Sequence, residues 1–274
     1  YRLAALTVLT ASCAPTVNLV NPASPMFHGE YGQTTVPSQV AAESIRVVTF
    51  NLKLGRRVDQ AIALFQKNDS LRNADLIALQ EMSATGVERF ARALGLNYAY
   101  YPSVIHPSSG DYFGPAILSP WPIERSWKIL LPHEGMLRHQ RRTATGAIIQ
   151  VAGTRIRAYA THLEMPLRIS EQERRDQVAA ILNDAAPGAE PVVIAGDFNS
   201  TAIGRLFEAR GYRWVTKRVS PTTLWFAWDH IFTRRLIPAG SNDAGVVNGV
   251  HGASDHRPVW ALLKPVLSWH VAGQ

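Results

Sequence analysis

The feature that most constrains the fold is a series of short apolar stretches, each followed by a polar side chain. In PVVIAGDFNS, residues 191–200, an apolar run from Val192 leads directly to Asp197 and Asn199. A run of this length and composition is typical of a buried strand. Because side chains alternate along a strand, its period of two predicts that Asp197 and Asn199 point to the same side.

Similar strands alternate with amphipathic helices from residue 45 onward. Helices are predicted over residues 58–68, 86–95 and 171–186, the second closed by Gly95. The predicted strands lie in residues 45–52, 74–82, 114–120, 143–164 and 191–199 and in the segments WDHIFT and PVWALL. Many strands among few helices indicate a layered α/β or α+β domain. With 274 residues, 46% of them hydrophobic, one domain is favoured.

Residues 1–44 differ in composition from the rest of the chain. The apolar run LAALTVLTA, residues 3–11, is followed by Ser12 and Cys13, which resembles the end of a bacterial lipoprotein signal. We therefore expect residues 1–44 to form a truncated signal or lipoprotein-like leader and tether, and residues 45–274 to form the folded domain. This predicts an exported protein, in the cell envelope or secreted, with a membrane tether through a lipidated Cys13. The alternatives are an ordinary cleaved signal and an N-terminal helix with an inert cysteine in a cytoplasmic protein.

The charge of the chain points toward anionic partners. The formal net charge is +7, which favours nucleic acid or anionic lipid headgroups as partners. The alternative is that the charge contributes only to solubility. The single cysteine excludes an internal disulfide and a cysteine-based zinc site. No run of about 18 apolar residues is present, so no transmembrane helix is expected.

Polar side chains able to bind metal or phosphate accompany six of the apolar strands. These residues are Asn51, Glu81, His162, Asp197, Asn199, Asp229, Asp255 and His256. A single residue of this kind usually caps a turn or a helix. Together, however, oxygen donors suit a hard cation such as Mg²⁺, and an Asp–His pair orients an imidazole. Together these residues predict a protein that catalyses the attack of water on a phosphate ester.

Seven short segments, taken in their order along the chain, resemble the motifs of a known superfamily. TFNLK, ALQEM, GPAILSPWPI, ATHLE, AGDFNS, WDHIF and SDHRPV together resemble the endonuclease/exonuclease/phosphatase superfamily, over about residues 45–263. The resemblance implies a four-layer α/β sandwich, with two packed mixed β-sheets flanked by helices and a site at one end. It also implies dependence on Mg²⁺, with Mn²⁺ as the alternative.

The resemblance also implies roles at the metal and the attacking water. Glu81 would be the main metal-binding carboxylate, helped by Asn51 and Asp255. Asp197 would orient or deprotonate the attacking water. Asn199 would hold a phosphate oxygen or the nucleophile, as a catalytic and substrate-binding residue.

Two histidines receive roles in the same way. His256 would contact the scissile phosphate as a catalytic and substrate-binding residue, with Asp229 as its orienting partner. His162 would bind phosphate or protonate the leaving oxygen, and Asp111 is a candidate carboxylate to orient it. His230, beside Asp229, falls outside the pattern, and we predict that it is a packed or surface residue.

The substrate is the least constrained property. The basic segment HEGMLRHQRRT, residues 133–143, contains Arg142, which we predict to bind the phosphate backbone, unless the segment is an ordinary solvated loop. No long apolar loop suited to membrane docking is evident in the sequence. We therefore expect a monomeric metal-dependent nuclease or small phosphodiesterase acting on DNA or RNA. The alternatives are a sphingomyelinase-like or inositol-phosphate phosphoesterase, and a catalytically silent member that binds anions or lipids.

Overall fold

The computed structural model describes residues 16–33 and 44–266, and within them two sheets pack face to face. The strands are β1 (Val17–Asn18), β2 (Phe27–Gly29), β3 (Ile45–Asn51), β4 (Leu76–Met82), β5 (Asn97–Tyr100), β6 (Val104–Ile105), β7 (Tyr112–Ser119), β8 (Ile123–Glu134), β9 (Arg141–Val151), β10 (Thr154–His162), β11 (Val192–Asp197), β12 (Arg213–Trp214), β13 (Asp229–Arg234), β14 (Leu236–Pro238), β15 (Ala244–Val246) and β16 (Val259–Pro265). The helices are α1 (Val58–Lys67), α2 (Ala84–Leu94), α3 (Glu171–Ala185) and α4 (Gly204–Ala209).

The two sheets contain both parallel and antiparallel pairs. The larger sheet has the main order β1-β6-β7-β4-β3-β16-β14, and β5 extends it from β7, β2 from β5 and β15 from β16. The smaller sheet has the order β12-β13-β11-β10-β9-β8. The pairs β3–β4 and β10–β11 are parallel, whereas the other pairs of the described strands are antiparallel. The predicted mixed sheets are confirmed.

Strand β3 shows why the interior strands read as continuous apolar runs. Ile45 and Val47 pack between the two sheets, whereas Val48 and Phe50 pack against α1 and α2. Helices α3 and α4 cover the outer face of the smaller sheet in the same way. Both faces of a central strand are therefore buried, as in other sheets sandwiched by helices. The four layers confirm the predicted α/β sandwich.

The helix ends follow local capping chemistry. Ser83 accepts a hydrogen bond from the backbone N–H of Gly86 at the start of α2, and Gly95 closes that helix in the left-handed conformation. Ser170 and Glu173 form a reciprocal capping box at the start of α3. In the described part of the chain, the helices are too short or too polar to cross a membrane.

The structure differs from the prediction at the N-terminal arm. Residues 16–33, which we expected to form a tether, belong to the larger sheet: β1 pairs with β6, and β2 pairs with β5. Strands of two and three residues are too short to show an alternating hydrophobic pattern. Backbone hydrogen bonds to strands far along the chain hold them in place. The predicted boundary at residue 45 is therefore wrong for residues 16–33, whereas Cys13 lies outside the described residues.

A buried lysine fastens this arm. Lys128 Nζ donates to the carbonyl oxygens of Leu19, Asn21 and Ser24 at 3.1, 3.0 and 2.9 Å. Burial lowers the pKa of Lys128 to about 8. The Lys128 ammonium thus holds three carbonyl groups of the arm, and it comes from strand β8, outside the arm.

We expect Lys128→Met to release the arm. Loss of the ammonium leaves three carbonyl groups without their donor, so chymotryptic cleavage after Phe27 and Tyr31 should become about tenfold faster, since 1.4 kcal/mol is a factor of ten. Limited proteolysis followed by mass spectrometry measures this rate. Lys264→Met, at an exposed lysine, is the matched control. Equal cleavage of both variants would show that Lys128 does not hold the arm.

Candidate active site

Three adjacent strands of the smaller sheet end side by side in acidic or histidine side chains. His162 at the end of β10 is in register with Asp197 at the end of β11, and Asp197 is in register with Asp229 at the start of β13. Residues in register share a face of the sheet, so the three side chains lie next to one another. All three are buried.

The larger sheet contributes Asn51 and Glu81 from its two parallel central strands. Asn51 ends β3, and its Nδ2 donates to Glu81 Oε1 at 3.2 Å and to Asp197 Oδ2 at 3.1 Å. Glu81 lies within a register shift between Leu79 and Met82, with a φ of +59°. Such a conformation is rare for a residue with a side chain and occurs where the surrounding structure enforces it. One amide thus joins carboxylates from two sheets.

The arrangement fits a divalent cation. Carboxylate oxygens of Glu81 and Asp197 converge on the Asn51 amide nitrogen, while Asn51 Oδ1 accepts from the Lys53 N–H at 3.0 Å. Burial together with the neighbouring Asp229 raises the pKa of Asp197 to about 7. Ligand atoms of Asp197, Asp229 and His256 also lie within 4.8 Å of one another. Asp229 Oδ1 is buried and has no hydrogen-bond partner. Carboxylate oxygens gathered in this way are the ligands that a hard metal ion binds.

The predicted pair of His256 and Asp229 forms. His256 Nδ1 lies 2.8 Å from Asp229 Oδ2, and His256 Nε2 lies 3.8 Å from Asp197 Oδ2. Burial opposes the charged imidazole, but the attraction of Asp229 outweighs it and raises the pKa of His256 to about 10. His256 is therefore a fixed cation beside Asp197 at neutral pH.

His162 has a different environment from the one we expected. Its Nδ1 lies 3.2 Å from Arg142 Nη1, and its Nε2 lies 3.5 Å from Asp197 Oδ2. Because a guanidinium can only donate, His162 Nδ1 accepts and the proton sits on Nε2. Burial and the Arg142 charge lower the pKa of His162 well below its usual value. The predicted partner Asp111 instead lies in an exposed turn, so that expectation was wrong.

Arg142 forms a buried ion pair instead of an open phosphate-binding site. Its Nε donates to Glu164 Oε2 at 3.0 Å and its Nη2 to Glu164 Oε1 at 3.2 Å, and both side chains are almost fully buried. Arg142 belongs to β9, so the prediction of a basic loop that grips substrate through this residue was wrong. Glu164 was not among the site residues predicted from the sequence, although it lies two residues after His162 in THLE.

Breaking this pair should be costly. Glu164→Gln leaves the Arg142 charge buried without a counter-ion, and we expect the free energy of unfolding to fall by about 3–5 kcal/mol. Urea unfolding followed by circular dichroism measures the change. The double variant Arg142→Met/Glu164→Leu removes both charges and should recover much of the loss. Glu134→Gln, at a more exposed partner of Arg141, is the control. A loss below about 1 kcal/mol for Glu164→Gln would contradict the assignment.

Asp255 lies at the rim of the site. Its Oδ2 is 2.7 Å from Lys53 Nζ, and despite partial burial this ammonium lowers the pKa of Asp255. Ser254 Oγ donates to the Asn51 carbonyl at 2.6 Å and accepts from the His256 N–H at 3.1 Å. Lys53 and Ser254 were not among the site residues predicted from the sequence, although Ser254 is the first residue of the SDH motif. Metal binding by Asp255 stays a prediction.

The residues that follow β11 form a turn. Asp197 Oδ1 accepts from the Asn199 N–H at 2.9 Å, the φ of Asn199 is +50°, and Asn199 Nδ2 donates to the Leu163 carbonyl at 3.0 Å. The predicted same-side geometry assumed a strand that continues past Asp197, and the turn ends it there. Contact of Asn199 with phosphate stays a prediction.

His230 is a packed residue, as predicted. It is buried against Trp214 and Phe198, and its Nδ1 lies 3.3 Å from Thr216 Oγ1. Burial lowers the pKa of His230 to about 4, so the ring is neutral. It supports the back of the site without reaching it.

Comparison with known proteins decides the family. The model of the Endonuclease/Exonuclease/phosphatase family matches residues 48–256, which include all the site residues described above. The chain belongs to the endonuclease/exonuclease/phosphatase family. Members of this family are generally hydrolases that act on phosphate esters and use a divalent metal.

Relatives of this family differ widely in sequence. The uncharacterized protein YbhP of Escherichia coli K12 is 25% identical over 220 residues, which are 73% of this chain and 79% of YbhP. An endonuclease/exonuclease/phosphatase structure from Beutenbergia cavernae has a TM-score of 0.66 and 18% identity, over 82% of this chain and 72% of that one. TDP2 of D. rerio, complexed with a single-strand DNA product, has a TM-score of 0.65 and 17% identity, over 81% of this chain and all of its own.

Proposed function

We propose that this chain is a divalent-metal-dependent phosphodiesterase. The observation that carries the proposal is the Asn51 amide, which joins Glu81 and Asp197 from opposite sheets beside the His256–Asp229 pair. The same point thus has oxygen donors for a metal, a carboxylate for water and a fixed cation for phosphate. This combination suits hydrolysis of a phosphate ester.

Mg²⁺ is the metal that we propose, with Mn²⁺ as the alternative. Glu81 and Asn51 would hold it, and Asp255 is the third ligand predicted from the sequence. Their oxygen atoms suit a hard cation. When bound, the ion polarises the phosphate and neutralises charge that develops on its oxygens.

The protein side chains divide the remaining work. Asp197, with a pKa of about 7, accepts the proton of the water that attacks phosphorus as the ester P–O bond breaks. His256 binds a phosphate oxygen as a cation, and Asp229 keeps it oriented and charged. His162 donates a hydrogen bond from Nε2 to the phosphate or the leaving oxygen while Arg142 holds Nδ1.

For the substrate, nucleic acid is the candidate predicted from the sequence, which would make the enzyme a nuclease acting on DNA or RNA. The net charge of +7 and the likeness to TDP2 in complex with DNA support it. A phosphoester carried by a lipid is the second candidate, because apolar side chains protrude around the site. A catalytically silent member is disfavoured, since every position assigned by the resemblance is filled.

A substrate panel tests the proposal. Plasmid DNA, single-stranded RNA, sphingomyelin liposomes and an inositol phosphate are each incubated with Mg²⁺, with Mn²⁺ and with a chelator. We expect metal-dependent hydrolysis of at least one diester and none with chelator. Hydrolysis that persists in chelator would refute metal dependence, and binding without turnover of any diester would support the silent alternative.

A further inference from the structure

Exposed apolar side chains concentrate at the end of the sandwich that carries the site. Among the described residues, seven of the eleven exposed large hydrophobic side chains lie in three loops, residues 135–140, 163–170 and 215–228. We call these seven the apolar rim: Met136, Leu137, Met165, Leu167, Leu224, Trp225 and Phe226. Single exposed hydrophobic residues are ordinary on a protein surface, whereas clustering of this kind marks an interaction surface.

The three loops border the site directly. The first loop contacts the second, and the residues at the end of β11 connect the second loop with the third. Backbone hydrogen bonds make these connections: Met136 N to Arg168 O at 2.7 Å, Leu163 N to Asp197 O at 2.9 Å, and Phe198 N to Trp228 O at 2.9 Å. The second and third loops therefore flank Asp197 at the same end of the molecule.

Three members of the apolar rim project fully into solvent. Leu167 is 95% exposed, Trp225 is 86% exposed and Leu224 is 81% exposed. The backbones of Leu167 and Leu224 also have positive φ values, +67° and +41°, which are unfavourable for leucine. Packing within the described chain does not account for these leucines, so a partner outside the chain is the reason that we infer.

The charge around the apolar rim suits an anionic surface. The first two loops contribute Arg138 and Arg168. Glu164 is the only acid in the three loops, and it is buried against Arg142. Five of the seven side chains of the apolar rim are leucine or methionine, which fit hydrocarbon and offer no face on which bases stack, so an anionic lipid bilayer fits better than nucleic acid.

The N-terminal arm reaches the same place. Thr16 N–H donates to the Arg138 carbonyl at 3.1 Å, and Asn18 Nδ2 donates to the His139 carbonyl at 2.8 Å. The apolar run of residues 3–11 ends five positions before Thr16 in the sequence. A lipid anchor at Cys13, as predicted from the sequence, would follow that run and precede Thr16 by three positions, so it would join the described chain beside the apolar rim.

We propose that the apolar rim docks on an anionic lipid bilayer. In this orientation the site opens on the membrane surface. The further consequence, that the hydrolysed phosphoester is presented by the membrane, rests on the proposed function. The docking itself does not depend on catalysis.

Vesicle flotation with the full chain tests the docking. The vesicles contain phosphatidylglycerol and phosphatidylcholine, and the variants are Leu224→Ser/Trp225→Ser and Leu167→Ser. Val266→Ser, a half-exposed site at the far end of β16, is the matched control. We expect the double variant to lower vesicle partitioning about tenfold or more and the control to leave it unchanged. Thermal unfolding verifies that each variant is folded.

The outcomes separate docking from catalysis. Hydrolysis of the soluble diester bis(p-nitrophenyl) phosphate should stay unchanged in the apolar-rim variants, and Glu81→Gln should lose it while it retains vesicle partitioning. If no preparation hydrolyses the diester, the proposed function fails, and flotation still decides the docking. Equal partitioning of wild type and both apolar-rim variants overturns the docking proposal. A loss of binding to a single-stranded oligonucleotide with vesicle partitioning intact also overturns it, in favour of nucleic acid.

Discussion

Replacement of Glu81 by glutamine is expected to lower metal-dependent phosphodiester hydrolysis by about 10³-fold or more. Glu81 is the carboxylate that Asn51 holds at the meeting point of the two sheets, and Glu81 Oε2 also accepts from the Leu54 N–H at 3.1 Å. Glutamine keeps the size and one oxygen but removes the charge that a divalent ion requires. Initial rates at several Mg²⁺ concentrations measure the loss, which excess metal should partly restore.

The control for this variant is Glu88→Gln, on the exposed face of α2, where the carboxylate pairs with Arg92. This change should leave the rate within about twofold of wild type, because exposed pairs contribute little. Binding of Mn²⁺ measured by calorimetry gives a second readout and should weaken only in Glu81→Gln. Undiminished hydrolysis with undiminished Mn²⁺ binding would remove Glu81 from the metal site.

Replacement of Asp229 by asparagine is expected to lower turnover by about 10²–10⁴-fold at pH 8 and to create a new pH dependence. In the native protein the pKa of His256 is about 10, so the imidazole stays charged across pH 6–9. Without the Asp229 charge, burial lowers that pKa toward or below its ordinary value of about 6.5. The turnover of the variant should therefore fall as pH rises above about 6, whereas wild type should not follow this course.

Turnover at saturating substrate from pH 5.5 to 9 checks this result, with Asp69→Asn at an exposed carboxylate as the control. The same linkage affects stability. Because folding raises the pKa of His256, its contribution to stability is full below about pH 6.5 and disappears as pH rises through about 10. Parallel pH profiles of the variant and wild type would show that Asp229 does not set the charge of His256.

The strand ends were the part of the site that the sequence could predict. Asn51 and Asp197 end apolar strands and Asp229 begins one, a pattern visible without a structure, and a sandwich of such strands brings these ends together. The pair of His256 and Asp229 followed from the chemistry of an imidazole that needs an orienting carboxylate.

The residues that the sequence could not assign depend on tertiary geometry. Arg142 looked like part of a basic loop, because nothing in HQRRT reveals which of its cations turns inward toward Glu164. The arm of residues 16–33 depends on Lys128, which lies more than 100 residues away along the chain. The exposure of Trp225 was also hidden, because a short apolar segment reads like a strand until its surroundings are known.

The register of β10, β11 and β13 has a consequence for how this protein can change over time. His162, Asp197 and Asp229 lie in register on three adjacent strands, so their separation is set by the interstrand distance of about 4.8 Å. Loops can lengthen, shorten or acquire new surfaces without altering that spacing. The backbone thus fixes the spacing of the three side chains, whereas the loops around them can vary and alter which substrates fit.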